Sequence, residues 1–441
     1  MNGFLENLRT LQPMPVAILG AGKSGQGVVN LLDRMEWEYE IFDEQERAFE
    51  MADARNCSVV ITSPGFKPNH SWIIRAIEAG KEILSEVEFG TLFLKKQRVV
   101  SITGTNGKTS VTTMLEHVAR NSQMKVVAGG NLGIPLTQLV ADGLGSETTV
   151  FLETSSYQAR NLKYFKPTDV VWTNFAPDHL DYHGTKKEYF RSKYRLLELN
   201  EFKKCMVGRS VVDEGKKMGF DFPDSVEIID PLIKENVPLG ENHFLLSNPQ
   251  LENLAFVEKW FLHGGIKRNE FYKLIRNYVG QPFRLQKVES NIEGVNFWND
   301  SKSTNLASTI AACKSFTRKL FWIGGGQSKG EEIKSFASSL RPFIDKAFLV
   351  GDTGPELHQI FQDCGSWSTL CKNLKEAVEK AVSFSGRSVD ILFSPGFASF
   401  DTHENYVERG KAFDRIVLDL KKAREIDTSL FVQSFAIQTG R

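Results

Sequence analysis

The chain has 441 residues, of which 41% are hydrophobic and 24% are charged, and its formal net charge at pH 7 is zero. This length exceeds one ordinary hydrophobic core and predicts two to four domains of roughly 100–200 residues each. The balanced charge gives no basic footprint for nucleic acid, and no apolar run approaches the roughly 20 residues of a membrane-spanning helix. We therefore expect a globular protein with no nucleic-acid partner and no membrane insertion.

The N-terminus and the cysteines favour the cytoplasm. The stretch MNGFLENLRTLQPMPVAILG lacks the basic start, the apolar segment and the small-residue cleavage site of a secretory signal. The chain has 5 cysteines, and none of them forms a CxxC pair, which disfavours both a disulfide framework and a zinc site. We expect a cytoplasmic protein that acts as a monomer.

The first segment reads as strand, glycine turn, helix and strand in PVAILG, AGKSGQG, VVNLLDRME and YEIFDE. Two further apolar runs, CSVVITSPG and KEILSEVEF, are predicted as strands, and this alternation indicates parallel βαβ units. The glycines from Gly20 to Gly25 match GxGxxG, and Asp43 ends the next strand. The pattern favours a diphosphate at the helix N-terminus, but a lone GxGxxG is weak evidence, so NAD binding stays an alternative.

The second segment begins where the chain turns basic and a new strand, loop and helix follow in RVVSITGTNGKTS. Its predicted strands are VVSIT, KVVAGG, TTVFLET and DVVWTNF, with a helix at SVTTMLEHVARN. The stretch from Lys203 to Phe244 is interpreted as irregular, and the pair Gln281–Pro282 is interpreted as the next domain boundary.

The run GTNGKT, Gly104 to Thr109, lies between a β-branched strand and a helix. Backbone N–H groups and a helix N-terminus form a positive concavity there, which suits a nucleotide phosphate. Lys108 would reach the β- and γ-phosphates, and the Thr109 hydroxyl would bind Mg²⁺. The spacing is shorter than GxxxxGK[ST], since Ile102 takes the place of the first glycine, and an ordinary strand-to-helix turn is the alternative.

Polar side chains follow two more strands of this segment. Glu153 comes after TTVFL, and Asn174, Asp178 and His179 follow the next strand. Ligands bind outside the carboxyl ends of parallel strands, so these residues are expected near Lys108, with Glu153 and His179 at a magnesium site. No comparable argument supports His183, which is expected at the surface.

The third segment repeats the pattern, with predicted strands at VNFWND, KLFWIGGG, KAFLVGD and VDILFSPG. Three polar, glycine-rich loops follow successive strands: NDSKSTN with Asp300, Lys302 and Thr304, GGGQSKG with Lys329, and SPGFASFD from Ser394. Each alone could be turn chemistry, but three at one sheet edge favour a single substrate site. The fold class is therefore α/β, with three consecutive doubly wound domains: Rossmann-like (1–97), P-loop ATPase-like (98–281) and Rossmann-like (282–441).

The motifs GTNGKT, ETSSYQ, NFAPDHLDYHG, NDSKSTN, GGGQSKG and SPGFASFDTHENYVERG occur in the order and spacing of the Mur ligases, which the chain resembles over nearly its whole length. The resemblance implies an ATP-dependent amide ligase that joins D-glutamate to UDP-N-acetylmuramoyl-L-alanine through an acyl phosphate in peptidoglycan precursor synthesis. It also implies ATP and two Mg²⁺ ions as cofactors.

The resemblance also implies roles for individual positions. The catalytic residues would be Lys108, His179 and Lys193, the last carbamylated by CO₂, although sequence alone gives only a helix-surface lysine there. The metal ligands would be Thr109, Glu153, His179 and carbamylated Lys193. ATP would be contacted by Gly104, Thr105, Asn106, Gly107, Lys108, Thr109, Ser110, Asn253, Arg284, Asp300 and Lys302. The UDP-sugar would be contacted by Gly22, Lys23, Ser24, Asp43, Gly65, Asn131 and Ser155. D-glutamate would be contacted by Thr304, Lys329, Ser399 and Tyr406.

Some positions depart from the family pattern. Glu44 and Gln45 replace the Thr/Ser and Arg that often follow the aspartate near uracil, so the sequence does not define the uracil contacts. The HNxxN segment near adenine is reduced to NPQLEN, which leaves only Asn253, and Tyr406 stands where phenylalanine is frequent. The tail after Glu425 has no functional interpretation.

Three alternatives remain at this stage. The first is a ligase of the same superfamily that adds another amino acid. The second is an NAD-dependent oxidoreductase based on the first glycine loop. The third is a P-loop protein that binds ATP without catalysis.

Overall fold

A computed structural model describes residues 10, 14–131, 133–241, 243–246, 248–290, 292–328, 330, 332–385 and 388–420 of the chain. These residues form an α/β structure whose strands make three sheets, which confirms the predicted fold class. Lys329 and the tail after Glu425 lie outside the described residues. No helix in the described part of the chain is long and apolar enough to cross a membrane.

The first sheet has the order β2-β1-β3-β4, and all its strands are parallel. The run KEILSEVEF was predicted as one strand, and this prediction is wrong for its second half, which forms a helix. Ser85 ends the strand and caps this helix by accepting a hydrogen bond from the Glu88 amide. The elements are β1 (Val16–Leu19), α1 (Lys23–Met35), β2 (Tyr39–Phe42), α2 (Met51–Asn56), β3 (Val59–Thr62), α3 (Ser71–Glu78), β4 (Ile83–Ser85) and α4 (Glu86–Thr91).

The second sheet has the order β10-β9-β8-β5-β7-β6 and is also parallel. Its strands are near-continuous apolar runs because helices cover both faces. The elements are β5 (Arg98–Thr103), α5 (Lys108–Asn121), β6 (Val126–Gly130), α6 (Leu136–Asp142), β7 (Thr149–Glu153), α7 (Ser156–Ala159), β8 (Asp169–Trp172), α8 (Leu180–His183), α9 (Lys186–Leu199), β9 (Cys205–Gly208), α10 (Arg209–Lys217), β10 (Val226–Ile229), α11 (Gln250–His263) and α12 (Arg268–Ile275).

The stretch from Lys203 to Phe244 is not irregular as predicted, because it supplies β9, α10 and β10. These two strands extend the second sheet beyond β8. The sheet order also places β5 between β7 and β8, so the chain segments that follow these three strands meet at one edge.

The third sheet has the order β11-β12-β16-β13-β14-β15, in which β11 is antiparallel to β12 and the other pairs are parallel. The elements are β11 (Gln286–Val288), β12 (Val295–Asn299), α13 (Leu306–Lys314), β13 (Leu320–Gly324), α14 (Ile333–Leu340), β14 (Ile344–Leu349), α15 (Gly354–Asp363), β15 (Ser368–Leu370), α16 (Leu374–Ser383), β16 (Val389–Phe393) and α17 (406–420).

The chain divides into two compact units. The first contains Met1–Leu246 and Gln250–Tyr278 and holds the first two sheets, and the second contains Ser247–Pro249 and Val279–Arg441 and holds the third sheet. The division into three domains at 97/98 and 281/282 therefore stays a prediction.

Candidate active site

The loop between β5 and α5 has a backbone that requires glycine at two positions. Gly104 and Gly107 have φ values of +151° and +81°. A Cβ atom at Gly104 would lie 1.9 Å from Thr173 Oγ1, and one at Gly107 would lie 2.2 Å from Asn253 Oδ1. Both the dihedral angles and the close packing thus exclude a side chain here. Asn253, the predicted remnant of the adenine segment, lies directly against this loop.

Lys108 is the first residue of α5, and its side chain folds back over the loop that precedes it. Its Nζ donates hydrogen bonds to the carbonyl oxygens of Gly104 at 2.9 Å and Thr105 at 2.8 Å. The ammonium group is therefore held at the N-terminus of a 14-residue helix, where the backbone dipoles add to its positive field. Ser110, also predicted to contact ATP, is buried in the first turn of the same helix.

Two residues that follow β8 fix the middle of the loop. Thr173 Oγ1 donates to the Asn106 carbonyl at 2.6 Å, and the Asn106 amide donates to Asn174 Oδ1 at 2.9 Å. Asn174 was predicted at this edge from its position after the strand, whereas Thr173 was not. The signal that could have found Thr173 is its position one residue past a buried strand beside β5.

Glu153 is a buried carboxylate beside the phosphate loop, and only 2% of its surface is exposed. Its Oε2 accepts a hydrogen bond from Thr109 Oγ1 at 2.7 Å, and its Oε1 accepts one from Asn131 Nδ2 at 2.8 Å. A carboxylate and a hydroxyl in contact are oxygen donors of the type that Mg²⁺ prefers, so these residues fit the ion. Among the described residues, no group of three or more His, Cys, Asp or Glu side chains is arranged to hold a metal. The predicted ligands include only two side chains of those types.

Lys193 is not on the helix surface as the sequence alone suggested, since its exposed fraction is 1%. Its Nζ donates to the Gly104 carbonyl at 2.8 Å and lies 3.3 Å from Thr103 Oγ1. Burial, followed by the charge of Lys108, lowers the pKa of this amine well below its ordinary value, while two nearby carboxylates act in the opposite direction. The structure thus brings Lys193 to the phosphate loop.

His179 is the N-cap residue directly before α8 and has a left-handed backbone, φ +53°. Its Nε2 lies 3.5 Å from Asp178 Oδ2, and its ring packs edge-on against Tyr157 at a centroid distance of 4.9 Å. Tyr189 is a second aromatic neighbour, at 6.1 Å between ring centroids, and the Tyr189 hydroxyl is 3.2 Å from Thr105 Oγ1. Aromatic rings therefore hold the imidazole, and one of them also touches the loop. Sequence analysis missed Tyr189, although it lies four residues before Lys193 on α9.

His183 is buried, with 4% of its surface exposed, so the expectation of a surface position was wrong. Its Nε2 lies 3.0 Å from Ser156 Oγ, and its Nδ1 lies 3.3 Å from Ser192 Oγ. These contacts join α7, α8 and α9; His179 directly precedes α8, and Lys193 lies on α9.

The glycine loop of the first sheet also depends on its glycines. Gly20 has φ +100°, and a Cβ atom at Gly25 would lie 2.0 Å from the Gly20 carbonyl oxygen. Gly22 has no heavy atom within 4 Å of its Cβ position, which leaves its outer side open. Asp43 Oδ2 accepts a hydrogen bond from the Ala21 amide at 3.1 Å, so the predicted UDP-sugar aspartate touches this loop.

The remaining residues predicted to bind the UDP-sugar occupy several places in the first unit. Lys23 and Ser24 open α1, and Gly65 lies in the loop after β3 with open space around its Cβ position. Ser155 caps α7 and is buried, whereas Asn131 donates a hydrogen bond to Glu153 at the predicted metal site. Asn131 therefore groups with the phosphate loop.

In the second unit, Asp300 is a buried carboxyl group at the end of β12. It accepts hydrogen bonds from the Leu285 amide at 3.0 Å, Ser303 Oγ at 2.5 Å and Ser394 Oγ at 2.8 Å. Burial raises its pKa to about 6, although these donors and the charge of Arg284 act in the opposite direction. The structure thus brings together Asp300 and Arg284, both predicted to contact ATP.

Lys302 and Tyr406 are in contact, with Lys302 Nζ 3.7 Å from the centre of the aromatic ring. This cation–π contact joins a predicted ATP residue to a predicted D-glutamate residue. Thr304 is half-buried in the same loop as Lys302, and Ser399 is buried in the loop after β16. Lys329, predicted to contact D-glutamate, lies outside the described residues.

Arg409 is a buried arginine that sequence analysis did not single out, although it lies in the quoted motif SPGFASFDTHENYVERG. Its guanidinium donates to the carbonyl oxygens of Ser301 at 3.0 Å and of Phe397 and Ala398 at 3.1 Å each. These acceptors belong to the loops after β12 and β16. The arginine therefore fixes two of the three loops that were predicted to form one substrate site.

Comparisons with known proteins agree with this arrangement. Residues 102–213 match the family described as Mur ligase middle domain, and residues 283–396 match the one described as Mur ligase, glutamate ligase domain. A protein of Caldicellulosiruptor bescii is 31% identical over 385 residues, which cover 82% of this chain and 84% of the relative. One of Aquifex aeolicus is 30% identical over 413 residues, which cover 92% of this chain and 98% of the relative.

Solved structures show the same fold. The MurF ligase of Thermotoga maritima in complex with ADP is similar with a TM-score of 0.57 at 15% identity, covering 95% of this chain and 97% of that one. The pseudomurein peptide ligase type C of Methanothermus fervidus has a TM-score of 0.56 at 15% identity, covering 92% and 100%.

A phosphate loop beside a buried carboxylate, at the edge of a parallel sheet, is the arrangement of an ATP-dependent enzyme. The chain belongs to the Mur ligase family. The relatives from Caldicellulosiruptor bescii and Aquifex aeolicus are both named UDP-N-acetylmuramoylalanine--D-glutamate ligase.

Proposed function

We propose that this chain uses ATP to join D-glutamate to the L-alanine carboxylate of UDP-N-acetylmuramoyl-L-alanine, as a cytoplasmic monomer in peptidoglycan precursor synthesis. The observation that carries the reaction class is the 2.7 Å hydrogen bond between Thr109 of the phosphate loop and buried Glu153, beside the N-terminus of α5. The choice of substrates rests on the names of the relatives.

The first chemical step activates the carboxylate. One oxygen of the L-alanine carboxylate attacks the γ-phosphorus of ATP. The bond between the γ-phosphorus and the oxygen that bridges it to the β-phosphate breaks, so that ADP leaves and an acyl phosphate is formed. Lys108 and the N-terminal amides of α5 would stabilise the negative charge that accumulates in this transfer, and their position at the start of the helix supports this role. The loop glycines keep the backbone tightly packed against Thr173 and Asn253, and its amides would line the phosphate site.

Mg²⁺, when bound, would neutralise charge on the triphosphate and orient the transferred group. Thr109, Glu153 and His179 would hold the ions, together with a carbamylated Lys193. The buried carboxylate already in contact with the threonine hydroxyl supports this set.

Carbamylation of Lys193 is supported by the burial of its amine against the Gly104 carbonyl. The ammonium group first loses one proton, and attack of the uncharged amine on CO₂ then forms an N–C bond and releases a second proton. An anion thereby replaces a cation next to the phosphate loop. The Lys193→Ala enzyme should regain part of its activity with acetate, which restores a carboxylate in the vacated space. Absence of any rescue would count against a carbamate.

The second step forms the amide. The uncharged amino group of D-glutamate attacks the acyl carbon, the carbon–oxygen bond to phosphate breaks, and inorganic phosphate leaves as the nitrogen loses its proton. Lys302 and Lys329 would offset the negative charges that meet here, and Thr304, Ser399 and Tyr406 would bind the amino acid. Contact of Lys302 with the Tyr406 ring supports one shared site in the second unit.

The UDP-sugar would bind at the first sheet. The open side of Gly22 supports a diphosphate at the start of α1. Lys23, Ser24 and Gly65 would contribute further contacts from the same unit.

The direct test measures phosphate release with ATP, UDP-N-acetylmuramoyl-L-alanine and D-glutamate, omitting each in turn. The proposal predicts release only when all three are present, with D-glutamate incorporated into the product. Incorporation of a different labelled amino acid would indicate another ligase of the superfamily. ATP binding without release would indicate a non-catalytic protein, and tight NAD binding without release would indicate an oxidoreductase.

A further inference from the structure

The second unit contains a cavity of about 850 Å³ at the carboxyl ends of β13 to β16, between α16 and α17. Its volume lies within the range of small-molecule sites. The described residues that line it include none of the positions predicted for ATP or D-glutamate. Gly325, Gly326 and Asp401 of the lining belong to two of the loops predicted to form the substrate site, so the cavity adjoins that site.

The cavity lies where the topology of the third sheet reverses. From β13 the chain continues outward through β14 to β15, whereas β16 returns to the other side of β13. In open α/β sheets, ligands bind in the crevice outside the carboxyl ends of the strands at such a reversal. Gly325, Gly326 and Gly351 line this end of the cavity, and their φ values of +117°, +147° and +71° keep the loops close to the sheet.

One wall of the cavity is apolar. Leu374 of α16 and Phe393 of β16 belong to the hydrophobic core of this face, and Ala412 and Ile416 of α17 pack against the same core while partly exposed. A ligand seated here would cover this apolar surface with a ring or hydrocarbon group.

The cavity is also lined by basic side chains. Lys372, Lys375 and Lys380 occur there with a single glutamate, Glu376, which forms an ion pair with Lys380 at 2.8 Å. The contact of Lys375 with Glu379 is long, 3.9 Å, and the Lys375 side chain is 71% exposed, so this pair restrains the lysine little. Two lysine charges thus remain for a ligand.

The cavity lining also contains the buried cation of Arg409. Arg409 is 4% exposed, and its hydrogen bonds go to carbonyl and hydroxyl oxygens. Asp401 is the second carboxylate of the lining, and its Oδ2 accepts a hydrogen bond from the Asp352 amide. The lining therefore contains more cationic than anionic side chains.

We propose that this cavity is a second ligand site, which takes a small amphipathic anion: an aromatic or hydrocarbon body that carries one acidic oxygen-bearing group. The body covers the wall formed by Phe393, Ala412 and Ile416, and the anionic group faces Lys372 and Lys375.

The test uses two fluorescent probes with the same aromatic body, anilinonaphthalene sulfonate and the uncharged N-phenylnaphthylamine, on the full chain with saturating Mg²⁺ and ADP. The sulfonate should bind with one dominant site and more tightly than the uncharged probe. In the Lys372→Glu/Lys375→Glu enzyme, the sulfonate should bind roughly tenfold more weakly. Binding of the uncharged probe should change little.

Two further variants make the test decisive. Lys334→Glu reverses an exposed charge on α14, whose apolar side packs into the core of the opposite face, and it should leave both probes unaffected. Ala412→Trp fills the cavity and should weaken both probes. Equal loss of sulfonate binding in the Lys334 control, equal affinity for the two probes in the parent enzyme, or no sulfonate binding would overturn the proposal. If the Ala412→Trp variant does not fold, comparison of the Lys372→Glu/Lys375→Glu enzyme with the Lys334→Glu control still tests the proposal.

Discussion

Replacement of Gly107 by alanine should damage the phosphate loop in two separable ways. The φ of +81° costs an alanine about 1–2 kcal/mol, because its Cβ approaches the following carbonyl oxygen. The new Cβ would also lie 2.2 Å from Asn253 Oδ1, and relief of this overlap within a buried contact should cost about 1–3 kcal/mol more. We expect the free energy of unfolding to fall by about 2–5 kcal/mol, the sum of these terms.

Gly219 provides the matched control. Its φ is +82°, and no heavy atom lies within 4 Å of its Cβ position. In Gly219→Ala the free energy of unfolding should therefore fall only by the backbone contribution of about 1–2 kcal/mol. Urea denaturation gives the two stabilities, and calorimetric titration with ADP should show at least a tenfold weaker affinity in Gly107→Ala only, since a displaced loop misdirects its amides. Equal stability losses in the two variants, or an unchanged ADP affinity in Gly107→Ala, would refute the reasoning.

Three other predictions follow from single side chains. Glu153→Gln removes the charge that faces Thr109, so ADP affinity should lose its dependence on Mg²⁺ while affinity measured in EDTA stays unchanged; a retained metal dependence would contradict the assignment. Lys108→Ala should abolish ADP formation in a full reaction mixture, and turnover near that of the parent enzyme would exclude its role. Because burial raises the pKa of Asp300 from 3.8 to about 6, its contribution to stability is present below about pH 4 and is lost as the pH rises through 6. The loss amounts to about 3 kcal/mol. Urea denaturation at several pH values should show this slope in the parent and not in Asp300→Asn, and parallel slopes would contradict it.

The phosphate loop and its neighbours were predictable because their signals are local. A β-branched strand, two glycines and a lysine that begins a helix define the loop. The strand order then brings Glu153 next to Thr109, since β7 pairs with β5. Parallel strands end at one edge, so strand-end residues meet there even when they are far apart in sequence.

The second half of KEILSEVEF was misread because its alternation of charged and apolar residues is typical of a strand. Hydrogen bonds to residues distant in the sequence stabilise a helix there instead. Buried Glu88 accepts from the amides of Lys163 and Phe165 at 2.7 and 2.8 Å, and buried Glu86 accepts from the Thr137 amide at 2.7 Å. These partners are more than 50 residues away, so no local pattern could reveal them.

The same reason explains the two misplaced side chains. Lys193 and His183 are polar residues whose burial depends on acceptors and hydroxyl groups from other elements, such as the Gly104 carbonyl and Ser156. Periodicity assigns polar residues to the surface unless a partner is known. The stretch from Lys203 to Phe244 was misread although its two strands have four residues each, the same length as the correctly predicted β1, so strand length does not explain the error.

The account depends most on activation of the substrate carboxylate by phosphoryl transfer at the Thr109–Glu153 edge. Its most direct test uses UDP-N-acetylmuramoyl-L-alanine labelled with oxygen-18 in the alanine carboxylate, followed by mass analysis of the released phosphate. The account predicts that each phosphate carries one carboxylate oxygen, because the acyl–oxygen bond breaks when D-glutamate attacks. Amide product formed together with unlabelled phosphate would contradict it.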